Sequence, residues 1–388
     1  MCAQMEGTMK RILILLCMMT FFMTACGGTA EESSEPTAAP SAGKTYREES
    51  FSALPNENEI YEDEILNVTK LQTNMQGEPA LYQVVTDTDE NDEEYSAICE
   101  YTLNAEGNWQ TKNYARKALT RLLEKTMQET ALDDMEIPYV TRGDDGNLYG
   151  LLKIVEASEQ PIPMGSDEKL PTRYSVLVID ESANTIQEVK LQTKAEVDGA
   201  EVDFAVEYDV SEFHVREDGT YFLVFNGASA MWFDSATGVQ TNLCESIADS
   251  AFGKRVGYGE SEIVYYSVAK KKFGVLDAES MTLTSEFGDD ISEENRNYEW
   301  YFDTDAANWQ MYAFNQSGLY RFSDFGQKTS ATCLSVQGNF DSLADANIYD
   351  ILVGPNEELY LLVRQASEEG AVGESSWDFG VIKYECES

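Results

Sequence analysis

Residues 213–243, FHVREDGTYFLVFNGASAMWFDSATGVQTNL, make one complete unit of a lead-in followed by strand, turn, strand, turn and strand. Short runs of aromatic and β-branched residues alternate with Asp-Gly and Asn-Gly turn formers, which is the signature of tight β-hairpins. Variants of the unit recur along most of the chain. The first joins Ile65–Leu71, Ala80–Thr86 and Tyr95–Leu103; the second runs from Ile137 through Leu148–Val155, Tyr174–Asp180 and Thr185–Leu191. After the opening stretch come Glu262–Val268, Phe273–Asp277 and Met281–Phe287. Trp300–Asp303, Trp309–Phe314, Leu319–Phe322 and Thr329–Val336 follow, and then Ile348–Val353, Leu359–Val363 and Trp377–Tyr384.

Two landmarks set the period. A tyrosine marks the second strand of each unit: Tyr82, Tyr149, Tyr221, Tyr265, Tyr312 and Tyr360, the last three intervals being 44, 47 and 48 residues. An apolar residue followed by a polar turn former closes the third strand at Leu103-Asn104, Ile179-Asp180, Phe233-Asp234, Leu276-Asp277 and Phe322-Ser323. A four-stranded sheet of this kind has two faces to cover and two edges to protect. Packing sheets face to face around an axis does both. The chain is therefore expected to be all-β, a β-propeller of six or seven four-stranded blades. The last unit lacks a fourth strand, and the spare segment Tyr46–Leu54 is predicted to fill that place.

Two insertions interrupt the repeat. Tyr114–Glu129 carries Ala115, Ala118, Leu119, Leu122, Leu123 and Met127 at helical spacing with basic residues between them. It predicts one inserted helix packed on the body through its apolar stripe, the other choice being a docking helix for a partner or an anionic membrane. The second insertion is the Pro- and Gly-containing loop 156–172.

The 388 residues carry 70 acidic and 27 basic side chains, a net charge of −43. That field repels nucleic acid and anionic membrane surfaces and argues against both as partners. Cys99, Cys244, Cys333 and Cys386 are widely spaced, with no CxxC. They read as buried thiols or as one or two disulfides.

The N-terminus predicts the location. Met9-Lys10-Arg11 precedes an apolar run from Ile12 to Met23, which is too short to span a bilayer and suits a signal peptide. The run ends in Met23-Thr24-Ala25-Cys26-Gly27-Gly28. This resembles the lipobox of bacterial lipoproteins, with Met23 in place of the usual Leu or Val. The resemblance implies cleavage after Ala25 and a diacylglycerol on the Cys26 sulfur. Gly27 to Lys44, GGTAEESSEPTAAPSAGK, predicts a flexible tether. The expected domains are a signal peptide over 1–25, a lipid-anchored tether over 26–45 and the propeller over 46–388, held extracytoplasmically at the cell membrane. Leader, tether and repeat together are similar to propeller-bearing lipoproteins of Gram-positive bacteria, including some in which a propeller precedes an extracellular solute-binding domain. This implies binding or scaffolding, and it carries over no catalytic residue. A two-lobed solute-binding domain has no room in this chain.

Chemistry-bearing motifs are sparse. His214 is the one histidine and lies in a strand pattern, so neither a zinc site nor a serine or cysteine triad is expected. Asp87–Asn91 begins like an EF-hand loop, but Asp92 stands where glycine is required and Ile98 where glutamate is required. Gly143–Gly146 and Asp303–Asp305 are equally weak as calcium loops. Trp109, Trp232, Trp300, Trp309 and Trp377 are expected to pack the blades, with sugar stacking as the competing role. No catalytic residue, metal or cofactor is expected. The function expected is a lipid-anchored surface protein that binds a protein or small solute, as an accessory to uptake. The alternatives are a carbohydrate-active enzyme using paired carboxylates and an envelope assembly factor.

Overall fold

The structure, a computed structural model, describes residues 45–54, 70–88, 94–158 except 144, 169–244 except 217 and 226–228, 256–258, 262–298 except 278, 279 and 281, 300–305, 310–323, 330–337, 347–366 except 355, and 377–387. Of 256–258, 330, 333, 335–337, 347, 364–366, 377, 378 and 387 it describes the backbone alone.

Six small antiparallel sheets form a six-bladed β-propeller. Blade 1 is β2 (Gln72–Thr73), β3 (Pro79–Thr88), β4 (Glu94–Leu103) and β5 (Trp109–Tyr114). Blade 2 is β6 (Leu132–Arg142), β7 (Leu148–Glu156), β8 (Thr172–Asp180) and β9 (Thr185–Lys190). A separate hairpin, β10 (Lys194–Val197) and β11 (Ala200–Asp203), precedes blade 3: β12 (Val210–Val215), β13 (Tyr221–Phe225), β14 (Ser229–Phe233) and β15 (Gln240–Cys244). Blade 4 is β16 (Val256–Tyr258), β17 (Glu262–Ser267), β18 (Lys272–Asp277) and β19 (Leu283–Phe287). Blade 5 is β20 (Tyr301–Asp305), β21 (Gln310–Asn315), β22 (Gly318–Ser323) and β23 (Ser330–Cys333), followed by β24 (Ser335–Gln337). Blade 6 is β25 (Asn347–Val353), β26 (Leu359–Ala366), β27 (Trp377–Glu387) and, from the other end of the chain, β1 (Thr45–Ala53).

The spare N-terminal strand thus fills the vacant place in the C-terminal blade. β1 pairs antiparallel with β27 from Thr45↔Glu387 to Ala53↔Gly380, and its other edge takes β24 in parallel at Thr45↔Ser335. Gly380 makes the pairing possible. A Cβ there would lie 2.4 Å from Phe51 Cε2 and 2.7 Å from the Ser52 carbonyl oxygen.

The apolar core consists of six clusters among the described residues, each between two neighbouring blades. Tyr82 and Leu148 pack between blades 1 and 2, Tyr149 and Phe213 between 2 and 3, and Phe222 and Leu276 between 3 and 4. Phe273 and Phe302 pack between 4 and 5, and Tyr312 and Ile351 between 5 and 6. Leu362 and Leu81 close the ring between 6 and 1. Strands buried on both faces explain the near-continuous apolar runs.

All six landmark tyrosines lie in second strands and are buried. They do not share one phase. Tyr82, Tyr149, Tyr312 and Tyr360 face the following blade, whereas Tyr221 and Tyr265 face the preceding one. Side chains alternate faces along a strand, so Phe222 and Tyr266 hold the forward position in blades 3 and 4. The third-strand landmarks are turn caps. Asp180 Oδ1 accepts the Ser182 and Ala183 amides (2.9 and 2.8 Å), and Asp234 Oδ1 accepts Ala236 and Thr237 (3.2 and 2.8 Å). Asp277 Oδ1 accepts the Ser280 amide at 2.7 Å.

Several boundaries differ from the sequence expectation. The first inner strand is Gln72–Thr73; Lys70 and Leu71 lie outside it, and 65–69 lie outside the described residues. Thr329–Val336 divides into β23 and β24 because the chain leaves blade 5 to reach β1. Tyr114 ends β5, Ala115 turns with φ 55°, and the helix α1 runs Arg116–Glu129. It packs on the blade 1–2 core through Leu119, Leu122 and Leu123. Thr120 Oγ1 accepts the Ser96 amide (3.0 Å) and donates to the Ser96 carbonyl (3.3 Å), so α1 covers the part of the β4 edge that β5 leaves unpaired. Cys99, Cys244 and Cys386 belong to three different cores and are not joined to one another. The side chain of Cys333 lies outside the described residues.

Strand direction alternates through each blade, so the connections sort onto two faces. One, the turn face, carries links of three to six residues, such as 143–147, 216–220 and 354–358. The other, the linker face, carries 115–131, 157–171 and 191–209, of fifteen to nineteen residues each. The helix insertion, β10–β11 and the described ends of 157–171 fall on the linker face.

Gly380→Val should push Phe51 off β27 and lower stability by about 3 kcal/mol, measured as the urea midpoint. The Asp234 carboxyl is held below the ordinary carboxylate range by the Thr237 hydroxyl and the loop amides. Its contribution is present above about pH 4 and is lost as pH falls through the lowered folded value. Asp234→Asn keeps the acceptor but not the titration. It should lower stability modestly at pH 7 and flatten its decline below about pH 4.

Candidate functional site

First strands line the axis of a propeller, and here their polar side chains tie one blade to the next. Asp303 Oδ2 in β20 accepts the Val353 amide of β25 at 2.9 Å, and Asp350 Oδ2 in β25 accepts the Leu71 amide at 2.7 Å. Gln72 in β2 accepts the Arg142 amide (2.9 Å) and the Thr141 hydroxyl (3.0 Å), and its Nε2 donates to Val140 O (3.0 Å). Tyr139 in β6 donates its hydroxyl to Val210 O of β12 at 3.0 Å. These bonds run blade 5 to 6, 6 to 1, 1 to 2 and 2 to 3.

The linker-face mouth is crossed by an ion pair. Lys70, just before β2, reaches Glu212 in β12, so blades 1 and 3 are joined past blade 2. Lys70 Nζ lies 5.9 Å from the centre of the Tyr139 ring beneath it. The two side chains are 19% and 4% exposed, so the pair is largely withdrawn from water. Burial pushes the Tyr139 phenol above its ordinary range, and the Glu212 charge adds to the effect. Beside it, Lys153 Nζ binds Glu136 Oε1 (3.0 Å) and Asp209 Oδ1 (3.1 Å). Burial alone would lower that ammonium, but the bonds to Glu136 and Asp209 outweigh it and raise it. Burial pushes the Tyr174 phenol up to about 12.

The arrangement offers carboxylates, ammonium groups and phenols held by one another. The Lys153 ammonium and the Tyr139 and Tyr174 phenols are all raised, away from neutral pH. The mouth can offer charge and hydrogen bonds to a ligand.

A second polar cluster, toward the turn face, is a staple. The Arg142 guanidinium donates to Glu181 Oε1 (2.7 Å), Glu100 Oε2 (3.2 Å), the Tyr82 hydroxyl (3.0 Å) and Gly146 O (2.8 Å). It joins blades 1 and 2 with its donors consumed internally.

The residues singled out in the sequence are dispersed. Cys26 lies outside the described residues. His214 sits half-buried in β12 opposite Phe222. Trp232 and Trp300 are fully buried in the cores of blades 3–4 and 4–5, which removes them as sugar platforms. Trp109 is half-buried against the blade 6–1 core. Trp309 and the side chain of Trp377 lie outside the described residues. Asp87 is on β3, where its Oδ2 accepts the Tyr95 hydroxyl, and 89–93 lie outside the described residues. Asp145 is bound by its own turn and by Tyr149 at 2.6 Å. Among the described residues no group of His, Cys, Asp and Glu is placed to hold a metal. The Lys70–Glu212 pair escaped sequence reasoning because 142 positions separate its members.

No family model matches the chain, and no curated protein does. Among solved structures it is similar to a protein of unknown function from Bacteroides caccae, at 8% identity over 69% of this chain and 96% of the other, with a TM-score of 0.35. A likeness of that size carries no argument here.

Lys70→Met should destabilise the protein by about 3–5 kcal/mol, because the buried Glu212 carboxylate loses its ammonium partner. Lys70→Met/Glu212→Leu should recover most of that loss, read from a denaturation double-mutant cycle.

Proposed function

We propose that the chain is a lipid-anchored surface protein whose propeller binds a protein or small-solute partner at its linker face, as an accessory to solute uptake and without a catalytic step. The observation that carries this reading is the sorting of connections. The turn face is trimmed to short hairpins, while the insertions α1, 157–171 and β10–β11 gather on the other side. A rigid ring that keeps its elaboration on one face has a side on which partners are recognised. The polar mouth around Lys70, Glu212 and Lys153 supplies charge and hydrogen bonds at the centre of that face. The sequence MTAC around Cys26 supports the anchor.

Cys26→Ala should move the protein from the membrane pellet to the soluble fraction; continued sedimentation with membranes would contradict the anchor. For binding, a glycan and metabolite thermal-shift panel on that soluble variant should yield a ligand. Its shift should be lost on Lys153→Met and retained on a turn-face change such as Asp145→Ala. The reverse pattern would place recognition on the other face.

A further inference from the structure

We infer that the interface between blades 5 and 6 binds a small oxyanion, a phosphate or a carboxylate, through the Arg321 guanidinium and the Tyr46 hydroxyl. The site is separate from the linker-face mouth and does not depend on the function proposed above. Arg321 lies in β22, the third strand of blade 5. Tyr320 and Phe322 pack toward blade 4 and Leu319 toward blade 6, so Arg321, two residues on, shares the blade 6 side with Leu319. Its Nε is buried without a hydrogen-bond partner, and its charge meets no carboxylate among the described residues. A buried guanidinium N–H with no acceptor has given up hydration for nothing, which is costly. With 70 acidic against 27 basic side chains, a carboxylate partner would be easy to supply. Lys117, Arg121 and Lys190 also stand without a carboxylate, but they are exposed and water serves them. Arg296 likewise has a buried, unpartnered Nε, yet its Nη1 meets Asp289 at 3.2 Å. Among the described residues only Arg321 combines a buried free N–H with an unneutralised charge.

A second orphan belongs to the same interface. Tyr46 in β1 is wholly buried, and its hydroxyl has no hydrogen-bond partner among the described residues. Burial, with the neighbouring Tyr312 adding to it, pushes the phenol above its ordinary range, so it stays a neutral donor. Tyr312 connects the two groups. It stands directly opposite Arg321 in the β21–β22 register, which puts both side chains on one face, and its ring meets that of Tyr46 edge-on with centroids 6.2 Å apart. On its other side Arg321 stands opposite Thr332 of β23, which adds a hydroxyl to that face. Glu357 and Glu48 lie near enough to raise the Tyr46 and Tyr384 phenols, but neither pairs with Arg321. The chemistry of the donors selects the ligand. A guanidinium offers Nε–H and Nη–H as a planar fork, which matches two oxygens of one carboxylate or phosphate. Arg321 is half-buried, so an ion reaches it from solvent, and the surrounding core of Tyr312, Leu319 and Tyr384 keeps that ion small. The net charge of −43 does not forbid it, since at physiological salt fields fall off over about 8 Å and the nearest charge decides. An ion held there ties β22 of blade 5 to the closing strand β1 and so favours the shut ring.

The test is a titration of the full chain with sodium phosphate and, separately, with sodium acetate, at an ionic strength held constant with sodium chloride. Binding is read by calorimetry and as the thermal unfolding midpoint. At least one of the two anions should bind saturably and raise the midpoint. Binding of phosphate alone identifies a phosphate ligand and binding of acetate a carboxylate one; either result upholds the site. Phosphate also stabilises proteins generally, by exclusion from their surface, and that rise does not saturate. Arg321→Met should keep the general rise and lose the saturable part. Arg321→Lys keeps the charge without the fork and should weaken binding about tenfold. Tyr46→Phe keeps the buried ring without the hydroxyl and should weaken it about fivefold. No saturable binding of either anion would overturn the inference. So would an affinity unchanged in Arg321→Lys, or unchanged in Tyr46→Phe, because the ion would then sit elsewhere.

Discussion

Everything in this molecule depends on the pairing of β1 with β27. A propeller blade is a small sheet with two apolar faces, and it is stable only between neighbours. Four of the six blades find two neighbours along the chain, but an open array leaves a face of the first and a face of the last exposed. Joining the first strand to the last sheet puts both termini in one blade. The Leu81, Tyr101, Leu362 and Val381 cluster is then buried between blades 6 and 1 like the other five. The closure makes local demands, among them a glycine at 380 beneath the Phe51 ring and a short β24 to pair the outer edge of β1.

Closure fixes the axis, and the axis organises the polar groups. First strands from distant parts of the chain are brought within side-chain reach, so Asp350 can hold Leu71 and Lys70 can meet Glu212. Closure also separates the connections onto two faces. The proposed function follows from that asymmetry, so it rests on the ring being shut.

The repeat was legible because strands buried on both faces must be apolar and their turns need Asp, Asn or Gly. Phe213–Leu243 shows this most clearly, its second and third strands being wholly buried. Outer strands were harder. β5, WQTKNY, meets solvent along much of its length and carries almost no apolar pattern. The β10–β11 hairpin, KAEVDGAEVD, is dominated by charge, although Asp198-Gly199 with both residues at positive φ marks its turn. The tyrosine landmark located every second strand but mistook residue type for phase; Tyr221 and Tyr265 sit one register step from their counterparts. The mouth was not legible at all, since its contacts are long-range and no local pattern announces an ion pair between blades 1 and 3.

Native-state hydrogen exchange followed residue by residue tests the closure most directly. If the ring is shut by β1, the amides of Arg47 to Ser52 that pair with β27 should exchange only through global unfolding, at the same rate as the central strands β13 and β21. Exchange of β1 at loop-like rates while β13 and β21 stay protected would show that the propeller is stable without it and would contradict the account.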